Sequence, residues 1–191
     1  MKKIAIALVA VALCASVSMA NIPVEANCSV QPADALNGFV VAPLDPAPLD
    51  ATVNTINVRN EANAPIPDAA VTIEFSGAIN VCTSTVLAGV TDASGDVVLT
   101  LGAGGCANNV ALSGVVKANG VTIRSYANVK SPDYDGAGGD KIVGIGDLVI
   151  FSNEFLGSSP AECHDYDNNL TTGIGDLIIF SEAFVAPSTC N

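Results

Sequence analysis

Apolar and polar residues alternate in short runs through the middle of this chain. Over residues 53–60 and 71–76 the period is two, so Val71, Ile73 and Phe75 would line one face of a strand while Thr72 and Glu74 line the other. Pro65 and Pro67 make residues 61–68 a loop between them. Residues 97–101 form another β-branched run, introduced by the turn sequence Asp92-Ala93-Ser94-Gly95. Residues 115–117 and 121–123 flank Ala118-Asn119-Gly120, a hairpin signal because Asn and Gly accept positive φ. Several short strands spaced by turn residues, with no helical period, predict an immunoglobulin-type β-sandwich over residues 21–130. Residues 42–48 carry three prolines and read as a linker behind an N-terminal strand; residues 102–105, rich in glycine, read as a turn.

The first twenty residues have a different pattern. Lys2 and Lys3 precede an apolar run of about a dozen residues and a Ser18-Met19-Ala20 cleavage signature, which predicts a secretory signal peptide over residues 1–20. The run is too short to span a bilayer, which takes roughly 20 residues, and no later segment is long or apolar enough to cross one. The expected location is extracellular or at the cell surface. Past Ala20 five cysteines remain, Cys28, Cys82, Cys106, Cys163 and Cys190, and in an oxidising compartment they read as disulfides with one thiol left over. The preferred pairs are Cys82 with Cys106 and Cys163 with Cys190. The second would close a loop of about 28 residues, worth roughly 3–4 kcal/mol in the chain-entropy model. Cys28 is the favoured orphan, with a bridge from it to Cys82 or Cys106 left open.

Charge divides the chain. The 191 residues carry a formal charge of −12, too acidic for a partner held through phosphates, so no nucleic acid is expected. From Ser131 onward ten Asp/Glu face a single basic residue, Lys141, whereas residues 21–130 hold nine acids and four bases. Ser131-Pro132 and Ser158-Ser159-Pro160 punctuate the acidic part, and residues 131–191 are read as a second module.

That module repeats itself. Residues 144–155 (GIGDLVIFSNEF) align with 173–184 (GIGDLIIFSEAF), identical at nine of twelve positions, and Asp133-Tyr134-Asp135 matches Asp165-Tyr166-Asp167. The offset is 29 in the first comparison and 32 in the second, so the first copy has three extra residues, with 137–139 the obvious bulge. With Asp165 at position 1 of a twelve-residue loop, Asp167 stands at 3, Asn169 at 5, Thr171 at 7 and Asp176 at 12. Alternate side chains, one backbone carbonyl and a closing carboxylate are the oxygen shell a hard cation such as Ca²⁺ requires. Without a cation the converging carboxylates would repel one another. The apolar run after Asp176 predicts an exiting helix packed on its counterpart from the first copy.

A calcium loop with only an exiting helix, duplicated near a C-terminus, resembles the dockerin family, type I in particular. The resemblance implies Asp165, Asp167, Asn169 and Asp176 as side-chain ligands, Thr171 as carbonyl donor, and a water at Gly173. In the first copy it implies Asp133, Asp135, Asp140 and Asp147, hence two Ca²⁺ in all. Two positions depart from the family: Leu170 stands at position 6, where a glycine would make the sharp turn, and Thr172 at position 8, where an apolar residue is usual. At the family's cohesin-recognition positions stand Ile174, Gly175, Ser181 and Glu182, and Ile145, Gly146, Ser152 and Asn153, with no basic residue among them. The segments 63–73 and 91–95 are similar to bacterial Ig-like and carboxypeptidase-regulatory-like domains, which implies a spacer or adhesive module.

Catalysis has little to work with. His164, the single histidine, lies beside Asp165 in the loop and reads as a satisfied or solvent-facing side chain; the chain has no Trp and three Tyr, too few aromatics for a sugar cleft. The expectation is a secreted, non-catalytic calcium-binding protein of extracellular attachment or assembly, with a cohesin-like or self-assembling protein partner. The alternative is an accessory subunit of a polysaccharide-degrading complex whose sandwich binds carbohydrate.

Overall fold

A computed structural model describes residues 21–136, 138–185 and 188–190. The signal segment, residues 1–20, lies outside the described residues. The chain is mainly β, with several sheets and few helices. Strands β1 (Ser29–Gln31), β3 (Val53–Asn57) and β7 (Asp96–Thr100) form an antiparallel sheet in the order β1-β3-β7. Strands β4 (Ala70–Phe75), β6 (Ala88–Val90), β9 (Gly114–Ala118) and β10 (Val121–Tyr126) form a second antiparallel sheet, ordered β10-β9-β4-β6. Two ribbons complete the β structure: β2 (Phe39–Val40) runs parallel to β11 (Val129–Lys130), and β5 (Ile79–Val81) antiparallel to β8 (Ala103–Gly105).

Local sequence explains these elements. Val71 and Ile73 of β4 are buried and Glu74 is exposed, the alternation its period demands. Asn119 and Gly120 take φ of 49° and 78° between β9 and β10, both left-handed, as a two-residue hairpin turn requires. Val30, Ile56 and Leu99 of the first sheet meet Val71, Ile73, Val116 and Ile123 of the second in one apolar core. Phe39 crosses it edge-on to Tyr126 at 4.8 Å and Phe75 at 5.6 Å.

Three expectations change. The glycine-rich stretch is strand β8 and not a turn; side chains would collide there, because Gly104 packs against the Asp133 carboxylate. The proline-bearing segment 42–48 is no free linker: Ala42 bridges Gly102, Asp45 bridges Thr189, and Ala42 and Leu49 are buried. The disulfides are Cys82–Cys190 and Cys106–Cys163, with Cys28 free and buried. Each bridge therefore crosses from the β structure to the acidic tail, where the sequence suggested one bridge inside each. Loop length favours short bridges in a local reading, but tertiary packing brings Cα atoms 108 and 57 residues apart to 5.2 and 5.7 Å.

The tail adds two helices, α2 (Ile145–Phe155) and α3 (Ile174–Val185), after the short α1 (Ala33–Leu36). Their phenyl rings interlock: Phe151 stacks on Phe180 at 4.5 Å, with Phe155 and Phe184 stacked outside them. Val40, Ala42 and Leu49 join Val143, Tyr166 and Ala183 around this pair, so the second core is built from both ends of the chain.

Candidate metal centre

The second acidic loop closes on itself through side-chain-to-backbone bonds. Asp165 accepts the amides of Asn169 through Oδ1 and Leu170 through Oδ2, each at 3.0 Å. Asn169 Oδ1 accepts the Thr171 amide at 2.9 Å and the Thr171 hydroxyl, while its Nδ2 donates to Asp167 Oδ2 at 2.8 Å. Asp176 sits in the first turn of α3 and accepts Gly173 N–H at 2.8 Å and Tyr166 N–H at 2.6 Å, so the carboxylate that closes the loop also satisfies the start of the helix. Oxygens of Asp165, Asp167 and Asp176 thereby lie within 4.8 Å of one another. Leu170 takes φ of 73°, so position 6 does demand the left-handed conformation a glycine would supply at least strain.

The first loop reproduces this bonding across its insertion. Asp133 accepts the amides of Asp140 and Lys141 at 2.9 Å, Asp140 Oδ1 accepts Ile142 N–H at 2.9 Å, and Asp147 Oδ2 accepts Gly144 N–H at 2.7 Å. Lys141 has φ of 75°, matching Leu170. These pairs place Asp140 opposite Asn169 and Ile142 opposite Thr171, and the three extra residues fall between Asp135 and Asp140. The first loop does not gather its acids as tightly. Among the described residues, Asp165, Asp167 and Asp176 make the one group of three carboxylates at that spacing, and Asp133, Asp135, Asp140 and Asp147 do not. Asp147 Oδ1 is buried without a hydrogen-bond partner of good geometry.

Burial dominates the electrostatics. It raises Asp165, Asp176 and Asp147 above the usual carboxylate range, against the opposing pull of their bonds to backbone amides and, for Asp165, of Lys130. Asp133 is pushed up to about 7, first by burial and further by the Asp147 and Asp140 carboxylates. In both loops burial thus disfavours the ionised carboxylates by more than their amide donors favour them. The ligand atoms the side chains of these loops offer a cation are oxygens. Cys163, two residues before Asp165, is in a disulfide, and His164 turns its Nδ1 to Glu154 Oε1 at 3.2 Å. Such a set fits a hard divalent cation and not a thiolate- or imidazole-seeking one. In the second loop Asp165, Asp167, Asp176, the Asn169 carboxamide and the Thr171 carbonyl would hold it. The ion would supply the missing positive charge and fix the loop.

No family model, no curated protein and no solved structure matches the chain. The site therefore rests on its own chemistry.

Two buried polar residues escaped the sequence reading. Glu154, inside α2, accepts the amides of Glu162 and His164 and the Thr172 hydroxyl, all at 3.1 Å, besides the His164 ring. Although its burial opposes ionisation, these donors hold its carboxyl below the usual range. The unusual Thr172 is explained by this bond. The signal was available, since Glu154 aligns with Ala183 and lies three residues after the core residue Phe151. Lys130 ends β11 fully inside the protein; its Nζ donates to the Asp165 carbonyl at 2.6 Å and lies 3.6 Å from Asp165 Oδ2. Burial lowers the Lys130 pKa, with Asp165 pulling the other way. His164, expected to be satisfied or solvent-facing, is fully buried among Phe151, Phe180, Tyr134 and Tyr166, with Nε2 lacking a partner.

Proposed function

We propose that this is a secreted, non-catalytic protein that binds two Ca²⁺ through its tandem C-terminal loops and serves extracellular attachment or assembly. The observation that carries the reading is the duplicated loop. Two segments that differ by a three-residue insertion in the first make matching carboxylate- or carboxamide-to-amide bonds at the first, fifth and closing positions, and in the second the three acids already converge. This supports a dockerin-like module, and the shared core of the two larger sheets supports an Ig-like sandwich in front of it. Two disulfides and, among the described residues, the absence of a helix long and apolar enough to cross a membrane are compatible with an extracellular protein. The attachment role draws on the helices. Ile145 and Val149 of α2 and Ile174 and Ile178 of α3 stand at matched positions four residues apart, and all are exposed.

The test is calorimetric titration of the intact mature chain with Ca²⁺, since both tail disulfides end in the β structure. Two sites are expected, with one lost in Asp167→Ala and the other in Asp135→Ala. Both side chains are exposed, so neither change should unfold the protein. Absence of Ca²⁺ uptake by the wild type would overturn the reading. Calcium-dependent self-association or cohesin capture would support attachment; retention on insoluble polysaccharide alone would favour the carbohydrate-binding accessory subunit.

A further inference from the structure

The second loop receives a positive charge from outside itself. β11 belongs to the β structure, held by its parallel pairing of Val129–Lys130 with Phe39–Val40. From its end the Lys130 side chain, 2% exposed, reaches Asp165, 1% exposed, donating to the carbonyl at 2.6 Å and facing Oδ2 at 3.6 Å. Asp165 is the first residue of the loop, and both of its carboxylate oxygens already accept loop amides. The equivalent Asp133 has the same two amide bonds, but its carboxylate packs on the backbone of Gly104 and Gly139. Among the described residues no lysine or arginine side chain forms an ion pair with Asp133.

We infer that Lys130 is a resident counterion of the second loop, neutralising Asp165 in the metal-free state and setting that loop's affinity for divalent ions below that of the first. The inference rests on the calcium reading. A buried ammonium and an incoming divalent ion draw on the same carboxylate, and their mutual repulsion is little screened where both are shielded from water. The ion therefore gains less from Asp165 than from a carboxylate with no cation beside it. The same ammonium accounts for the contrast between the copies. Three carboxylates approach within 4.8 Å in the loop whose first carboxylate faces Lys130, whereas the acids of the loop that begins at Asp133 do not gather at that spacing. Lys130 also ties the occupancy of the second loop to the β structure, because the residue that tunes it is anchored there.

The experiment is terbium titration of the intact mature chain, read by tyrosine-sensitised emission and confirmed by calcium competition. Sensitisation falls to tyrosine because the chain has no Trp; Tyr134 and Tyr166 each follow the first ligand of a loop. Asp135→Ala and Asp167→Ala assign the two phases. In the wild type the second loop should bind at least about tenfold more weakly than the first, and Lys130→Met should tighten it by about tenfold or more while leaving the first unchanged. Lys130→Arg, which keeps the charge, should stay near the wild-type value. Unchanged or weaker second-loop binding in a folded Lys130→Met protein overturns the inference. So does a wild-type second loop as tight as the first, a result that needs no variant at Lys130 to fold. If the wild type takes up no ion, the calcium reading itself fails; if it binds two ions and Lys130→Met tightens neither, only the role of Lys130 fails.

Discussion

Asp133→Asn in metal-free buffer should remove a pH dependence that the wild-type protein carries. The Asp133 carboxyl is fully buried and pushed from its ordinary 3.8 up to about 7, by burial first and by the Asp147 and Asp140 carboxylates beyond that, although two backbone amides favour its ionised form. Between these values the folded chain keeps the proton that the unfolded chain has released. Its contribution to stability is then complete below pH 4 and is lost as pH rises to about 7. A shift of about three units at 1.36 kcal/mol each comes to about 4 kcal/mol. Asparagine has no proton to lose, but it turns an amide against one of the two N–H donors, a constant penalty of about 1–3 kcal/mol. Urea unfolding with disulfides intact, at pH 4.0, 5.5 and 7.0, should therefore show the variant less stable at the acid end. The gap should close or reverse by neutrality, moving by about 4 kcal/mol in all. The raised Asp147, Asp165 and Asp176 slope the same way but are common to both proteins. Saturating Ca²⁺ at pH 7 should restore the wild type and not the variant. A wild-type-to-variant difference that stays flat across pH would refute the argument that Asp133 is buried against its charge.

Other outcomes follow from the same geometry. Phe180→Ala, which removes the ring stacked on Phe151 at 4.5 Å, should cost about 3–5 kcal/mol in thermal or urea unfolding, and a loss under 1 kcal/mol would show that the two helices do not share a core. Peptide mapping under non-reducing conditions should recover Cys82–Cys190 and Cys106–Cys163, with alkylation confined to Cys28 and only after unfolding. Removing Cys106 and Cys163 together should cost about 4 kcal/mol in the chain-entropy model, for a separation of 57 residues. Glu154→Ala should cost at least about 3 kcal/mol, since His164 and the Thr172 hydroxyl lose a buried acceptor. Adding Thr172→Val, which installs the residue type of the first copy, should recover about 1 kcal/mol, and no recovery would mean that Thr172 and Glu154 are not coupled.

The strands and the second loop were legible because their determinants are local. Period two at Val71 and Ile73, positive φ at Asn119-Gly120 and the Asp165-to-Asp176 spacing each lie within a dozen residues, and the structure realises all three. The first loop was legible only as a set of residues. Its register is set by the bonds of Asp133 to the amides of Asp140 and Lys141, displaced by the length of the insertion. What sequence could not show depends on chain segments far apart. Cys82 meets Cys190, Lys130 meets Asp165, and Asp45 pairs with Thr189, none of which leaves a periodic trace. The proline-rich stretch misled for the same reason: proline marks a segment without regular structure, and says nothing of what packs over it.

These distant contacts also change what a metal would do. An acidic tail standing alone would depend on its ions for a fold, as small calcium modules with little core do. Here the tail is tied down in other ways as well, among them two disulfides into the β structure, an apolar core shared with Val40, Ala42 and Leu49, and the Lys130 ammonium on Asp165. Chelation should accordingly leave the helices packed and relax chiefly the exposed parts of the loops, where Asp135, Asp167 and Asn169 stand. Ile145 and Ile174 begin the helices that these loops launch, and both are exposed. Calcium would then act on the presentation of that apolar surface, with the scaffold beneath it already formed.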